Sequence, residues 1–153
     1  MVQWGVIKRI QIAWEQGAPM KEVTDVEAIA DKGLRDDRYF YDQGTFSNRG
    51  GCDITLIESE TLDAVERDHE ISLEPGVHRR NITTRGIALN HLVGRRFRVG
   101  NAVCKGVELC EPCAYLEQHL EKDGVRKVLV HRGGLRASIR ETGKIKQGDS
   151  VYS

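Results

Sequence analysis

The sequence predicts an α+β domain that is predominantly β. Sixteen glycines but only three prolines are spread through its 153 residues, separating short apolar stretches in the manner of a turn-rich sheet protein. Those stretches alternate or run only a few residues, which is the strand period rather than the helix period. No internal repeat, low-complexity segment or Pro/Gly/Ser-rich linker interrupts the pattern, so residues 1–153 are read as a single domain, long enough to bury a core without cross-links.

Val6, Ile10, Ile12 and Trp14 form the first apolar set, opposite Arg9 and Gln11, with Lys8 breaking the alternation; this reads as a half-buried strand ended by Gly17-Ala18-Pro19. Val26 to Ala30 alternates with Glu27 and stops at Asp31-Lys32-Gly33, while Ile54 to Ile57 is a short continuous run that fits a buried strand. Ser59 is placed to cap a helix with an acidic first turn at Glu60 and Asp63 and a narrow stripe of Leu62, Ala64 and Val65. Phe97 and Val99, then Val103 to Val107, predict a hairpin turning at Gly100-Asn101, and Ile145, Gly148-Asp149 and Val151 predict a closing hairpin. A second helix is expected to begin at Pro112, which suits the first helical position, and to run towards Leu120 with Cys113, Leu116 and Leu120 on one face.

Lys plus Arg total 23 and Asp plus Glu total 23, a balance that argues against a general nucleic-acid or membrane-surface binder. With no long apolar run, and no basic n-region followed by an apolar h-region at Met1-Val2-Gln3-Trp4-Gly5, the expectation is a cytoplasmic protein with no membrane association. There, the four cysteines, Cys52, Cys104, Cys110 and Cys113, are buried hydrophobes, metal ligands or reactive thiols rather than disulfides.

Cys113 is the chemical candidate, because the first turn of a helix offers free N–H groups and a dipole that favour a thiolate. A thiolate is a nucleophile, a soft metal ligand and the precursor of a persulfide. The competing reading is a buried structural cysteine. Cys110 and Cys113 also form a C-x-x-C pair, yet Cys52, Cys104 and the five histidines offer no second pair at zinc spacing, and the chain lacks the βαβ periodicity of a thioredoxin-type dithiol.

The segment Arg79-Arg80-Asn81-Ile82-Thr83-Thr84-Arg85-Gly86 concentrates guanidiniums in a chain without net charge, with Arg95, Arg96 and Arg98 shortly after. Guanidinium forks match phosphate oxygens, so an anionic small-molecule ligand is expected. The plainer reading is a solvated strand face. That accommodates Arg95 and Arg96, but adjacent Arg79 and Arg80 on a strand would send one side chain inward. Gly33 to Tyr39, with its Asp37-Arg38 pair, and His131-Arg132-Gly133-Gly134-Leu135, an anion-nest candidate, are two further turns that could shape a pocket.

In chain order, these pieces resemble the MOSC family, named after the C-terminal domain of molybdenum-cofactor sulfurase. The matching stretches are Gly33 to Arg38, Ile54-Thr55-Leu56-Ile57, Arg79-Arg80-Asn81-Ile82, Gly86, Leu92 to Phe97, Gly100, Glu111-Pro112-Cys113, Arg132-Gly133-Gly134-Leu135 and Gly143 to Asp149. The resemblance implies a MOSC-type β-barrel with a few short helices, in a short stand-alone form. It also implies molybdenum cofactor (molybdopterin) bound with Cys113 as metal ligand, and Arg79, Arg80, Asn81, Arg38, Arg132 and Gly133 as the cofactor-binding residues. The family's cofactor-using enzymes reduce N-hydroxylated compounds with an external electron donor, but they carry an extra N-terminal β-barrel region for which this chain has no room. Three expectations therefore stand: a molybdenum-cofactor binder or oxidoreductase; a sulfur carrier with a Cys113 persulfide and Cys110 as resolving thiol; or a non-enzymatic interaction module. An electron-donor or sulfur-donor protein is the expected partner of the first two.

Overall fold

The structure, a computed structural model, describes residues 3–41, 52–73, 78–110 and 132–153. Its first strand, β1 (Trp4–Ile12), carries a register shift between Ile7 and Arg9 where it pairs with its neighbour. The bulge absorbs the break in alternation at Lys8, so that Ile7 and Ile10 both face the core. β2 (Lys21–Val23) pairs back on β1, while β3 (Asp25–Ile29) and β4 (Gly33–Leu34) begin a separate small sheet.

β5 (Ile54–Glu58) is buried along its length and leads directly into α1 (Ser59–His69). Ser59 does not cap this helix. The N-cap is Glu58, and the Ser59 hydroxyl instead accepts a hydrogen bond from Arg85 Nη1 at 3.1 Å, because the strand runs into the helix without a turn. α1 is the crossover that lets β6 (Ile82–Arg85) lie parallel to β5, Leu56 opposite Ile82. A 3₁₀ turn at Leu89–Leu92 precedes β7 (Arg96–Val99) and β8 (Ala102–Leu109), which form the expected hairpin about Gly100-Asn101. β9 (Leu135–Glu141), β10 (Gly143–Lys146) and β11 (Ser150–Tyr152) complete the described chain. α1 is the one α-helix among the described residues, and the helix expected from Pro112 to Leu120 lies outside them.

Seven strands in the order β11-β7-β8-β9-β5-β6-β1 close on themselves through a β11–β1 pairing, giving a predominantly β barrel with β2 added at its rim. Closure removes the open edges that would otherwise invite another chain. The final two strands are not a hairpin with each other. β10 pairs with β3 in the three-stranded sheet, and the turn at Gln147 to Asp149 then carries the chain over to the barrel. The composition of this segment gave the turn, whereas the partners are set by which sheet each strand's apolar side completes. The core joins both sheets, with Ile145 and Val26 packed against Ile7, Leu56, Ile82, Phe97 and Ile139.

Two glycines show how tightly the barrel is drawn. A Cβ on Gly106 would lie 2.1 Å from the Leu92 carbonyl oxygen, whereas one on Gly17 would meet nothing within 4 Å. Gly106→Ala is expected to lower stability by about 2 kcal/mol or more through overpacking against backbone. Urea denaturation checks this: the midpoint should fall at unchanged slope, and a midpoint equal to wild type would show that β8 and the 3₁₀ turn can separate freely.

Candidate functional site

The site forms where the segment before β6 meets the starts of β5 and β9. Arg79 has φ 63°, so the chain there is left-handed and not yet a strand. The expectation that adjacent arginines point to opposite faces therefore does not apply, and both are turned inward, Arg79 7% and Arg80 9% exposed. Arg79 Nη1 donates to the Ala18 carbonyl at 2.7 Å. Arg80 spans the site: Nε donates to Gly133 O at 2.9 Å, Nη1 to His78 O at 3.2 Å and Nη2 to Cys110 O at 3.4 Å. All three acceptors are backbone carbonyls, so the guanidinium is fixed in direction, and no carboxylate among the described residues pairs with it. A guanidinium carries five N–H bonds, and three of those on Arg80 are engaged by the described residues.

Arg38 lies beneath this turn. Its Nη2 donates to Arg79 O at 2.9 Å, its Nη1 pairs with Asp37 at 3.2 Å, and its guanidinium sits 4.7 Å from the centre of the Tyr39 ring. Asp37 is fully buried and also accepts from the backbone N–H groups of Ala13 and Tyr39. Burial raises its carboxyl above the usual range, against the opposing pull of Arg38 and those N–H groups. Arg38 thus holds the backbone of Arg79 from below. Asn81 is wholly engaged in the barrel: Oδ1 accepts from Thr55 N at 3.0 Å and Nδ2 donates to Gln11 O at 3.1 Å. Gly133 presents its carbonyl to Arg80, while Arg132 is only partly buried beside it. Cys113, the cysteine singled out in the sequence, lies outside the described residues, but Cys110 is buried at the end of β8, with its N–H bonded to Gly134 O at 2.7 Å. Burial pushes the thiols of Cys52 and Cys104 up to about 12, which keeps both protonated at neutral pH.

Two residues at this site were not singled out in the sequence. Arg136 is buried on β9 and pairs with Glu108 at 3.2 Å, and its charge opposes the burial effect on Cys52. An arginine between Leu135 and Ala137 in a continuous apolar stretch was the available signal, because a cation inside such a strand needs a partner. His78 is 1% exposed; its Nδ1 accepts from Arg80 N at 3.0 Å while its carbonyl accepts from Arg80 Nη1. An acceptor at Nδ1 requires the proton on Nε2, so the ring is neutral. Burial, with Arg80 adding to it, lowers the ring to about 3. A patterning argument had no purchase here, since a lone histidine next to two arginines reads as surface.

A family model described as the MOSC domain matches residues 44–152. Among curated proteins there is no match. Among solved structures, the YuaD protein from Bacillus subtilis superposes with TM-score 0.84 at 13% identity, over 99% of this chain and 96% of its own. YiiM from Geobacillus stearothermophilus gives 0.71 at 15% identity, over 100% and 75% of the two chains. YiiM from Escherichia coli gives 0.66 at 18%, over 94% and 68%. At these identities the likeness is one of fold. No helix among the described residues is long and apolar enough to cross a membrane.

The depressed His78 ring has a consequence for stability. The unfolded chain takes up a proton on this histidine below about pH 6.5, and the folded chain does so only near 3. Stability is therefore whole above pH 6.5 and falls as pH drops towards 3, by up to about 1.4 kcal/mol per pH unit. His78→Asn, whose Oδ1 can take over the Nδ1 acceptor, should flatten this dependence between pH 6 and 4. Denaturation midpoints of both proteins across that range provide the check, and parallel curves would remove His78 as the cause.

Proposed function

The chain belongs to the MOSC domain family, and on that premise we propose that it binds molybdenum cofactor, with the terminal phosphate received at Arg80 and Cys113 as the protein ligand to the metal. The observation that carries the reading is the Arg80 guanidinium: buried, aimed by three backbone carbonyls and, among the described residues, without a carboxylate. A buried cation in that condition is costly unless an anion joins it, and a phosphate oxygen pair matches the fork. Arg79, beside it and also buried, adds a second positive charge. These residues fit an anionic pterin phosphate. When bound, the molybdenum centre would supply two-electron redox chemistry and sites for oxygen transfer.

What the chain itself contributes is position. Arg38 fixes the Arg79 carbonyl, His78 fixes the Arg80 N–H, and the β8–β9 pairing holds the Cys110 and Gly133 carbonyls that aim the Arg80 fork. Cys113 stands three residues beyond Cys110 in the sequence. In an oxidoreductase acting on N-hydroxylated compounds, these residues would hold the cofactor, and an electron-donor protein would supply the electrons. In a sulfur carrier, the same Cys113 would hold a persulfide. The cofactor reading is preferred because a persulfide needs no anion clamp, whereas the buried Arg80 charge is one.

Protein purified from a host able to make the cofactor should contain molybdenum and pterin in equal amounts. Cys113→Ser is expected to lose the metal and Arg80→Ala most of both. Equal sulfur-labile persulfide on wild-type Cys113 with no pterin would favour the carrier instead. The anion site can be read separately in cofactor-free protein. Sulfate at a hundredfold excess over its dissociation constant raises stability by about 2.7 kcal/mol if it binds only the native state. That shift should be largely absent in Arg80→Ala. Sulfate also stabilises proteins generally, so equal shifts in the two proteins would withdraw the anion site.

A further inference from the structure

One outer face of the barrel joins unpaired cations to exposed aromatic and aliphatic side chains. Arg96 and Arg98 alternate outward from β7 while Phe97 and Val99 point into the core. Arg96 stands directly across from Lys105 of β8, two like charges in a cross-strand position that costs stability. Arg95 adjoins them, exposed at the start of β7. Among the described residues none of Arg95, Arg96, Arg98 and Lys105 takes part in an ion pair, although six other arginines, Arg9, Arg35, Arg38, Arg67, Arg85 and Arg136, do. Beside Arg98 in the sheet is Tyr152, stacked at 4.6 Å on Trp4, which is 62% exposed. At the other end of the strip, Val93 and Val107 are exposed as well. A shallow groove of about 270 Å³ is lined by Arg96, Arg98, Val103, Glu141 and Tyr152, one carboxylate against two guanidiniums.

We propose that this face docks an acidic protein, whose carboxylates meet Arg95, Arg96, Arg98 and Lys105 around an apolar contact on Trp4 and Tyr152. Self-repulsion between Arg96 and Lys105 is relieved only when negative charge arrives, and an aromatic pair flanked by arginines is the composition of an interface centre. A protein is favoured over a nucleic acid because the chain has no net positive charge and Trp4 and Tyr152 already stack on each other rather than lying open to bases. The location suits a redox partner: β8 carries Lys105 and Val107 on this face and ends at Leu109, one residue before Cys110, whose carbonyl holds Arg80. The redox role rests on the cofactor reading above; the docking face does not.

A purified flavodoxin, a small acidic flavin electron carrier, is a suitable probe, titrated against the full chain carrying Trp14→Phe so that Trp4 reports alone. Binding should change Trp4 fluorescence, weaken steeply between 50 and 300 mM salt, and fall at least tenfold in Arg96→Glu/Arg98→Glu. Arg9→Glu, on a different strand pair, should bind as wild type. A single-stranded RNA of similar charge should bind weakly; tighter binding of RNA than of flavodoxin overturns the proposal. So does the absence of salt-sensitive flavodoxin binding, or equal binding by the doubly reversed variant. Circular dichroism of that variant separates lost docking from lost folding, and Trp4→Ala, with binding followed by flavin fluorescence, gives a second test without charge reversal. Molybdenum and pterin content are measured on the same samples, so a protein that docks flavodoxin but holds no cofactor keeps the docking face and refutes only the cofactor reading.

Discussion

Asn81 joins three strands at the point where the candidate site begins. Its backbone N–H reaches Thr55 O, its carbonyl accepts from Gln11 N, and its side chain bonds Thr55 N on one side and Gln11 O on the other. Thr55 is on β5 and Gln11 on β1, so one residue ties the first strand to the parallel pair, and every one of these bonds is buried. A buried amide network of this kind has one satisfied arrangement, which makes it specify the register of the barrel as well as strengthen it. The turn immediately before it, His78 to Arg80, inherits that rigidity.

The arginines face inward because of this constraint. A left-handed residue at Arg79 reverses the usual alternation, and the β5–β6 register leaves no room to slip by one residue and expose either side chain. Burying two guanidiniums side by side is unfavourable in an apolar core, and the fold offsets it with carbonyls: Ala18 for Arg79, and Gly133, His78 and Cys110 for Arg80. Carbonyl dipoles orient a cation without cancelling its charge. Among the described residues Arg80 meets carbonyls only, whereas the Arg38–Asp37 and Arg136–Glu108 pairs nearby are closed by carboxylates.

The barrel thereby divides its positive charge by role. Arg38 supports, Arg80 and Arg79 are buried at the candidate site, and Arg95, Arg96, Arg98 and Lys105 remain outside on the β7–β8 face. That the whole chain is neutral while these groups lie apart is the outcome of strand alternation, which sends every second residue of β7 to solvent.

Much of this was legible in the residues. Glycine spacing and period-2 runs carried the predominantly β class, the break at Lys8 marked the bulge in β1, Gly100-Asn101 marked a hairpin, and the Arg79-Arg80-Asn81 cluster marked where charge is concentrated. These depend on local chemistry, which sequence expresses directly. Ser59 failed as a cap because whether a strand turns before its helix depends on where the strand must end in the barrel. Ile145 and Val151 lie on strands that pair elsewhere because partners in a closed sheet are chosen by distant segments. His78 carried almost no local signal, and the bonding of Asn81 to three strands was not visible in the sequence. The sequence by itself determined which side chains were available and how they alternate; tertiary structure alone decided which cations are cancelled and which stay open, because neutralisation depends on distances of a few ångströms between residues far apart in the chain.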